Sequence, residues 1–367
     1  MSLSFLKDFK KKMDKIESIS TSFAPPAHWY STGNYALNNI ISGSFVKGIP
    51  QSRITTVCGA SGTGKSFLAS NILLHAQSEG AFALVLDSEN ALDEVFLSNI
   101  GVKTDEEHLQ YVAVTTFSDV TRVISEFLTS YEKAYGRDNP ESPKVVILLD
   151  SLDMLLTDSE TNNFEAGIQK GDQGQRSKQA KHMLRTIVNR ISRIPVSFVL
   201  THQVYPNTDI MNGQGLWIIN NAVRYSASQI MLITNGKLKE GTDVIGIRMR
   251  VEAFKSRFSK LGSKVEIEVP YSKGMSPFSG FVELLEAKGV LGKEGFSYVT
   301  EINGEKIKFR EKNLTHELVA QILTHPLLRK EEEEEITALM TGDKGEDLTE
   351  VTAAIDAAPV ESEIENG

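Results

Sequence analysis

One eight-residue segment constrains the fold of this chain more than any other feature of its sequence. Its residues are Gly59, Ala60, Ser61, Gly62, Thr63, Gly64, Lys65 and Ser66. The segment follows the apolar residues 54–58 and precedes a helical pattern that begins at Phe67. Glycines let the backbone wrap around phosphate groups, the lysine supplies a cation, and the serine hydroxyl is a ligand for Mg²⁺. The segment therefore predicts a P-loop that binds ATP and Mg²⁺, rather than a chance turn, and we include Phe67 among its nucleotide-binding residues.

Apolar runs and helical patterns alternate along residues 31–269. Five runs have the continuous apolar character of parallel strands that are covered on both faces. They are residues 54–58, 82–86, 145–149, 197–200 and 229–233. Helical segments separate the first four, which predicts an α/β core with a mostly parallel, doubly wound sheet. Residues 245–254 and 264–269 alternate apolar and polar side chains, and this pattern predicts an antiparallel extension.

Composition indicates three further units around this core. Residues 1–30 predict a short amphipathic helix and a proline-containing linker. The apolar positions of this helix are Phe5, Leu6, Phe9, Met13 and Ile16. It packs either on its own domain or, as an oligomerisation arm, on a neighbouring subunit, and the linker favours the arm. Residues 270–330 predict a small α+β domain, and residues 331–367 predict a disordered acidic tail.

The net charge of −9 is distributed unevenly along the chain. Residues 331–367 contain 13 acidic residues and one basic residue, so they carry −12 and residues 1–330 carry +3. The whole-chain charge is therefore a poor guide to the partner, and a mildly basic body is compatible with nucleic acid. The chain has a single cysteine and no apolar run near the roughly 20 residues that span a bilayer, and the pattern of residues 1–15 does not predict a signal peptide. We predict a cytoplasmic protein without a membrane partner.

Acidic residues follow two of the predicted strands. Asp150 comes directly after the run 145–149, and Glu89 lies three residues beyond the run 82–86. Open α/β sheets bind ligands at the carboxyl ends of their strands. Asp150 therefore predicts an acid that orients Mg²⁺, with a simple cap as the alternative. Glu89 predicts a general base that orients an attacking water, with a solvated turn as the alternative.

Two polar residues follow a third predicted strand. His202 and Gln203 come shortly after the run 197–200, where a side chain is in reach of the γ-phosphate of a bound nucleotide. Ordinary loop polarity is the alternative interpretation. The seven histidines do not cluster with acids or with the cysteine at metal-ligand spacing, so we predict no zinc site. Ser66 and Asp150 are the predicted metal-binding residues.

Two long glycine-containing stretches, residues 161–176 and 205–220, predict mobile loops. Basic residues end the first stretch and follow it, and three of those that follow lie on neighbouring turns of a helix. A basic helix face beside flexible loops suits a DNA phosphate backbone, with a solvated face as the alternative. The predicted DNA-binding residues are Arg176, Lys178, Arg185, Met211 and Trp217.

These motifs together resemble the RecA family of recombinases, and within it the phage UvsX-type group. The resemblance runs over residues 31–328. Besides the P-loop, the segments that carry it are 31–43, 87–93, Asp150-Ser151, Lys255-Ser256-Arg257 and 274–280. They occur in the family's order and spacing, which makes the match more specific than a lone P-loop. The resemblance implies a RecA-like fold.

The resemblance also implies roles for individual residues. Glu89 would activate the water that attacks the γ-phosphate, and Phe96 would stack on the adenine. Lys255 and Arg257 would reach the ATP of the adjacent subunit and stabilise the transition state, as arginine fingers do. Lys65 would act on the phosphates of its own subunit's ATP.

Other family features fall in the loops. The family's γ-phosphate glutamine corresponds to Gln203, whereas UvsX-like members use a histidine that would be His202, and we favour Gln203. The two loops would line a DNA channel beside the basic helix. Arg224 and Tyr225 lie where the family couples the second loop to a neighbour's nucleotide.

The sequence thus favours a DNA-dependent ATPase that polymerises on single-stranded DNA and catalyses homologous pairing and strand exchange. The implied partners are single- and double-stranded DNA, further copies of the chain in a helical filament with ATP between subunits, a mediator protein and a single-strand-binding protein. The resemblance also implies a phage-encoded protein that acts in the host cytoplasm. A hexameric RecA-core helicase and a non-hydrolysing recombination mediator are the alternatives.

Overall fold

The computed structural model describes residues 3–13, 15–16, 25–168, 174–207 and 217–329. Two short ribbons pair β1 (Trp29–Tyr30) with β2 (Ile49–Pro50) and β8 (Tyr205–Pro206) with β9 (Trp217–Ile218). The remaining strands of the core form one eight-stranded sheet. They are β3 (Ile54–Gly59), β4 (Phe82–Asp87), β5 (Leu109–Ala113), β6 (Val145–Asp150), β7 (Val196–Gln203), β10 (Gln229–Glu240), β11 (Asp243–Ser256) and β12 (Lys264–Pro270).

The strand order across this sheet is β12-β11-β10-β3-β7-β6-β4-β5. The strands from β10 to β5 are parallel to their neighbours, and β11 and β12 are antiparallel additions. The structure therefore confirms the mostly parallel core and its antiparallel extension. The carboxyl ends of the six parallel strands lie together and form what we call the P-loop edge of the sheet. The residues that follow β3, β4, β6 and β7 therefore meet there.

Helices cover both faces of the sheet. They are α2 (Tyr35–Ser42), α3 (Lys65–Ser78), α4 (Glu94–Ile100), α5 (Phe117–Tyr135), α6 (Asp158–Glu165), α7 (Gln175–Ile191) and α8 (Asn221–Ser226). Helices α2, α3 and α4 pack on one face, and α5, α7 and α8 pack on the other. Strand β6 shows the reason, since successive side chains of a strand point to opposite faces. Ile147 packs with α5, α7 and α8, and Leu148 packs with α2, α3 and α4. The predicted doubly wound arrangement is confirmed.

Strand β5 is absent from the sequence prediction. It is an edge strand in which Gln110, Tyr111 and Ala113 are exposed, so it lacks the continuous apolar run that identified the other parallel strands. Strand β10 is also longer than predicted, because beyond Ile233 it leaves the core and continues as a hairpin with β11. Both differences occur where only one face of a strand is buried.

The first predicted loop is shorter than expected. Helix α6 occupies the start of the stretch 161–176 because Thr157 and Glu160 form a capping box that starts a helix there. Helix α7 begins at Gln175, and residues 169–173 lie outside the described part of the chain. The second stretch begins and ends in the ribbon β8–β9, and residues 208–216 lie outside the described part.

The predicted N-terminal helix is present as α1 (Leu3–Met13). None of its residues is buried, and its apolar side chains at positions 3, 5, 6 and 9 are exposed. This exposure is compatible with an arm that docks elsewhere, and that role stays a prediction. None of the helices in the described ranges is long and apolar enough to cross a membrane.

A small unit follows β12 at the C-terminal end of the described chain. It contains a three-stranded antiparallel sheet of β13 (Gly292–Glu294), β14 (Ser297–Ile302) and β15 (Glu305–Phe309), with α9 (Phe281–Ala287) and α10 (His316–Ile322). Its core also contains Phe45 from the large domain. The small α+β unit is confirmed, whereas the limits at 270 and 330 stay predictions and the tail 331–367 lies outside the described residues.

Candidate active site

The P-loop connects the end of β3 to the start of α3. Gly59 ends the strand, and a side chain there would come within 2.4 Å of the Thr63 hydroxyl and 2.8 Å of the Ile233 carbonyl. Gly62 and Gly64 have φ of 73° and 95°, a region that favours glycine. These glycines are therefore required by the loop conformation itself.

Hydrogen bonds within the loop hold its shape. The Thr63 hydroxyl donates to the Ala60 carbonyl over 2.9 Å, and the Lys65 ammonium donates to the same carbonyl over 3.0 Å. Asn235 on β10 donates to the Gly62 carbonyl over 2.8 Å. The exposed Ser61 lies between these contacts. The loop thus has a fixed curve with the ammonium folded against it, an arrangement that suits phosphate.

Asp150 ends β6 beside the P-loop. Its carboxylate accepts a hydrogen bond from Thr201 on β7, and its other oxygen, Oδ2, is buried without a hydrogen-bond partner among the described residues. Burial raises the pKa of the Asp150 carboxyl, the nearby hydroxyls of Ser66 and Thr201 oppose this rise, and the charges of Glu89 and Asp87 reinforce it. A buried, unpartnered carboxylate oxygen beside a serine hydroxyl fits a hard cation, so Ser66 and Asp150 fit the predicted Mg²⁺.

Glu89 follows β4, the strand that pairs with β6, and so lies close to Asp150. The Ser151 hydroxyl donates to Glu89 Oε1 over 2.5 Å. Ser88 and Ser151 bond to each other twice, over 2.7 and 2.9 Å, so the two strand ends are joined. The structure therefore brings together Glu89, Asp150 and the P-loop, which the sequence had assigned to one site.

Asp87 is a site residue whose role sequence reasoning missed. It is fully buried, and its carboxylate accepts the backbone N–H groups of Glu89, Asn90 and Leu92 over 2.8–2.9 Å. The Tyr111 hydroxyl on the edge strand β5 donates to the same carboxylate over 3.1 Å. Asp87 therefore fixes the turn that carries Glu89. The sequence signal for this role is an aspartate at the end of a buried strand. Its hydrogen bond with Tyr111 of β5 becomes visible only in the folded chain.

The candidates for the γ-phosphate sensor occupy different environments. His202 is 3% exposed, and both of its ring nitrogens are in hydrogen bonds, with Asp153 over 3.0 Å and with the Asn220 N–H over 3.1 Å. Gln203 ends β7, is partly exposed, and pairs with Gly59 of the P-loop strand. This placement favours Gln203 as the sensor, which stays a prediction.

Lys255 and Arg257 lie far from the P-loop of their own subunit. Ile230 of β10 pairs with Lys255 on one side and with Thr56 of β3 on the other, so Lys255 and Thr56 are level in the sheet. Thr56 lies three residues before Gly59, which puts Lys255 about 10 Å from the P-loop along the strand direction. Lys255 also lies two strands away, another roughly 10 Å. Because β11 runs antiparallel to β3, Arg257 lies still farther from the loop. Both residues therefore lie toward the amino ends of the parallel strands, which form the edge of the sheet opposite the P-loop.

A cluster of cations surrounds Lys255. Its ammonium donates to the main-chain carbonyl of Arg224, whose guanidinium lies 5.8 Å from the centre of the Phe254 ring. Burial, together with the charges of Arg257 and Arg224, lowers the pKa of Lys255 to about 8. The charges that act on Lys255 among the described residues are thus positive, which is compatible with the predicted contact with a neighbour's nucleotide. Tyr225, next to Arg224, is 60% exposed.

The remaining nucleotide candidates lie on the face covered by α3 and α4. Phe67 and Phe96 are partly buried and pack against the same core cluster. Asp93 caps α4 by accepting the Phe96 N–H over 2.7 Å, which fixes the start of the helix that carries the predicted adenine-stacking ring. Stacking on adenine stays a prediction.

The predicted DNA-binding residues fall into three environments. Lys178 and Arg185 are exposed on α7. Arg176 instead bonds to the carbonyls of Asp153, over 2.5 Å, and Leu155, over 2.9 Å, so its guanidinium holds α7 against the segment after β6. Trp217 is partly buried against the core beside α8, and Met211 lies outside the described residues. Their contacts with DNA stay predictions.

The fold and this site define a P-loop α/β protein with a carboxylate pair at the phosphate end. The family model described as RecA N-terminal domain matches residues 6–276, well over half of the chain. The chain therefore belongs to the RecA family. Members of this family are recombinases and DNA-dependent ATPases that use ATP with Mg²⁺ and form filaments.

Relatives with the RecA name align along most of the chain. Protein RecA of Geobacter sulfurreducens is 28% identical over 271 residues, 73% of this chain and 75% of that protein. Protein RecA of Citrifermentans bemidjiense is 26% identical over 278 residues, 75% and 77% of the two chains. Protein RecA 2 of Myxococcus xanthus is 26% identical over 304 residues, 82% and 77% of the two chains. The finer resemblance to the UvsX-type group stays a prediction.

Proposed function

We propose that this protein polymerises on single-stranded DNA as a helical filament and uses ATP to drive homologous pairing and strand exchange. One observation carries the proposal. The phosphate-binding loop and the Lys255–Arg257 pair, which the family uses on one ATP, lie at opposite edges of the sheet. Two subunits stacked head to tail would bring the two parts together, and head-to-tail contacts that do not close generate filaments.

The residues of the first edge would bind and hydrolyse the nucleotide. The P-loop amides and Lys65 would hold the phosphates, and Gln203 would contact the γ-phosphate. Glu89 would accept a proton from a water as its oxygen attacks the γ-phosphorus and the bond to the bridging oxygen breaks. Bound Mg²⁺, held by Ser66 and Asp150, supplies positive charge that offsets the charge of the phosphates. Phe67 and Phe96 would contact the rest of the nucleotide.

The residues of the opposite edge would complete the neighbour's site. The cationic groups of Lys255 and Arg257 would stabilise the charge that develops on the transferred phosphoryl group. Arg224 is held beside Lys255, so α8 would share this interface. Lys178 and Arg185 on the exposed face of α7 would bind the DNA backbone, with Arg176 holding that helix in place. Met211 and Trp217 would contact bases from the second loop.

The finer predictions of the resemblance remain part of the proposal. We propose a phage-encoded protein that acts in the host cytoplasm. Its proposed further partners are a mediator protein, a single-strand-binding protein and the double-stranded DNA with which the bound strand pairs. These predictions rest on the resemblance to the UvsX-type group rather than on the contacts described above.

Three measurements test this function against its alternatives. Single-stranded DNA is expected to accelerate ATP hydrolysis, and electron microscopy with an ATP analogue is expected to reveal open helical filaments. Closed six-membered rings would favour the helicase instead. Absence of hydrolysis with DNA would favour the non-hydrolysing mediator. Failure to exchange a labelled strand of a homologous duplex, despite hydrolysis and filaments, would contradict the proposed reaction.

The pH dependence of hydrolysis tests the role of Lys255. Its pKa of about 8 means that the charged form dominates below pH 8 and disappears as the pH rises through that value. We expect kcat/KM for ATP to fall from about pH 7 to about pH 9, because this quantity reports the free enzyme. Lys255→Arg keeps its charge throughout this range and should abolish that fall. The same midpoint in the arginine variant would assign the titration to another group.

A further inference from the structure

His202 is a buried histidine near the carboxyl end of β7, beside the P-loop edge of the sheet. It lies in β7 opposite Cys58 of the P-loop strand, directly after Thr201, which bonds to Asp150. Its Nε2 faces the backbone N–H of Asn220 over 3.1 Å, so Nε2 must be the acceptor. The ring proton is therefore on Nδ1, which donates to Asp153 Oδ2 over 3.0 Å. Both ring nitrogens are thus used, in fixed roles.

The Asp153 end of this contact belongs to the nucleotide site. Asp153 lies three residues after Asp150, and the same carboxylate oxygen also accepts the Gln203 N–H over 2.5 Å. Movement of either Gln203 or the segment after β6 therefore changes the position of the histidine ring. Gln203 is the predicted γ-phosphate sensor.

The Asn220 end of this contact leads, through α8, to Lys255. Asn220 is the N-cap of α8, and its side chain accepts the Ala222 N–H over 2.8 Å. The carbonyl of Arg224 on this two-turn helix accepts the hydrogen bond from the Lys255 ammonium. A short helix that is held by its cap moves as one body. A shift of Asn220 therefore also shifts the Arg224 carbonyl, and with it the ammonium of Lys255.

We propose that His202 is a positioning residue that couples the nucleotide site of its own subunit to Lys255, and through Lys255 to the ATP held by the neighbouring subunit. The proposal rests on the proposed action of Lys255 in the adjacent site. Each subunit contacts two nucleotides, and the Asp153–His202–Asn220 contacts join them. Binding at successive interfaces is therefore cooperative.

Two substitutions separate the halves of this connection. An asparagine amide reaches the position of Nδ1, so His202→Asn keeps the contact with Asp153 and loses the one with Asn220. A glutamine amide reaches the position of Nε2, so His202→Gln does the opposite. A connection needs both contacts, and both variants should lose it. The exposed His316 on α10, in the small C-terminal unit, gives the matched control, His316→Asn.

The first readout is the cooperativity of ATP hydrolysis on single-stranded DNA. We expect a Hill coefficient for ATP well above 1 in the wild type and in His316→Asn, and a value of about 1 in both His202 variants. Circular dichroism melts identify any variant that has lost its fold. A wild-type Hill coefficient in either folded His202 variant would overturn the proposal, because that variant has lost one of the two contacts.

The second readout needs neither DNA nor hydrolysis. The chain has two tryptophans, Trp29 and Trp217, and Trp217 lies three residues before Asn220. In a Trp29→Phe background, binding of the slowly hydrolysed analogue ATPγS should change Trp217 emission. His202→Asn and His202→Gln should reduce this change about fivefold or more at equal occupancy, the lower end of typical allosteric coupling. An unchanged response would overturn the proposal.

The two readouts keep this inference separate from the proposed function. If DNA fails to stimulate hydrolysis in the wild type, the proposed function fails, while the Trp217 response still measures the contact between the nucleotide site and α8. If Lys255→Ala retains full hydrolysis, the action of Lys255 on its neighbour fails. If hydrolysis and Lys255 behave as proposed but the His202 variants do not, only the role of His202 is wrong.

Discussion

Replacing Glu89 by glutamine is expected to lower the DNA-stimulated rate of ATP hydrolysis by about 10²- to 10⁴-fold, the range typical for loss of a general base. The amide has the size of the carboxylate and still accepts the Ser151 hydrogen bond, so the turn held by Asp87 keeps its shape. Nucleotide binding and filament formation should therefore persist. Phosphate release measured at saturating ATP and single-stranded DNA, beside binding of a fluorescent ATP analogue, separates the two effects.

Glu126→Gln is the matched control for this substitution. Glu126 is exposed on α5, away from the P-loop edge, and the change removes the same charge. It should leave hydrolysis within about twofold of the wild type, as surface substitutions usually do. A Glu89→Gln rate equally close to the wild type would show that another group activates the water. Loss of nucleotide binding in that variant would instead make Glu89 a binding residue.

Mixing two inactive variants is expected to restore hydrolysis. Lys255→Ala removes a cation of the kind worth about 10³- to 10⁵-fold in phosphoryl transfer, so it should be nearly inactive alone, as should Glu89→Gln. In an equal mixture, about a quarter of head-to-tail interfaces join an intact Glu89 to an intact Lys255. About a quarter of the wild-type rate should then return. Phosphate release across a series of mixing ratios measures it.

A second mixture gives the control. Glu89→Gln and Asp150→Asn both alter the P-loop side of the interface, so no pair of such subunits forms an intact site, and their mixture should remain inactive. Recovery of hydrolysis in that mixture would show that activity can return without an active site that is shared between an intact Glu89 and an intact Lys255. No recovery with Lys255→Ala, at proportions that form mixed filaments by electron microscopy, would mean that Lys255 acts within its own subunit.

Much of the fold could be predicted from the sequence because its signals are local. Five buried parallel strands were visible as apolar runs, and the two alternating segments correctly gave the antiparallel extension. Strand β5 was invisible because its side chains face solvent at the edge of the sheet. The start of the first loop was wrong because a capping box at Thr157 extends helix into it.

Residue order alone was enough to identify the P-loop, its lysine and serine, and the acids at the ends of β4 and β6. Each of these belongs to a short segment whose chemistry depends on its own residues and on the strand before it. Three other relations became visible only in the folded chain. Asp87 holds the Glu89 turn together with Tyr111, His202 joins Asp153 to Asn220, and Lys255 lies toward the edge opposite its own P-loop. These relations join residues far apart in the chain. They depend on strand order and register, which the packing of the whole sheet sets and no local pattern records.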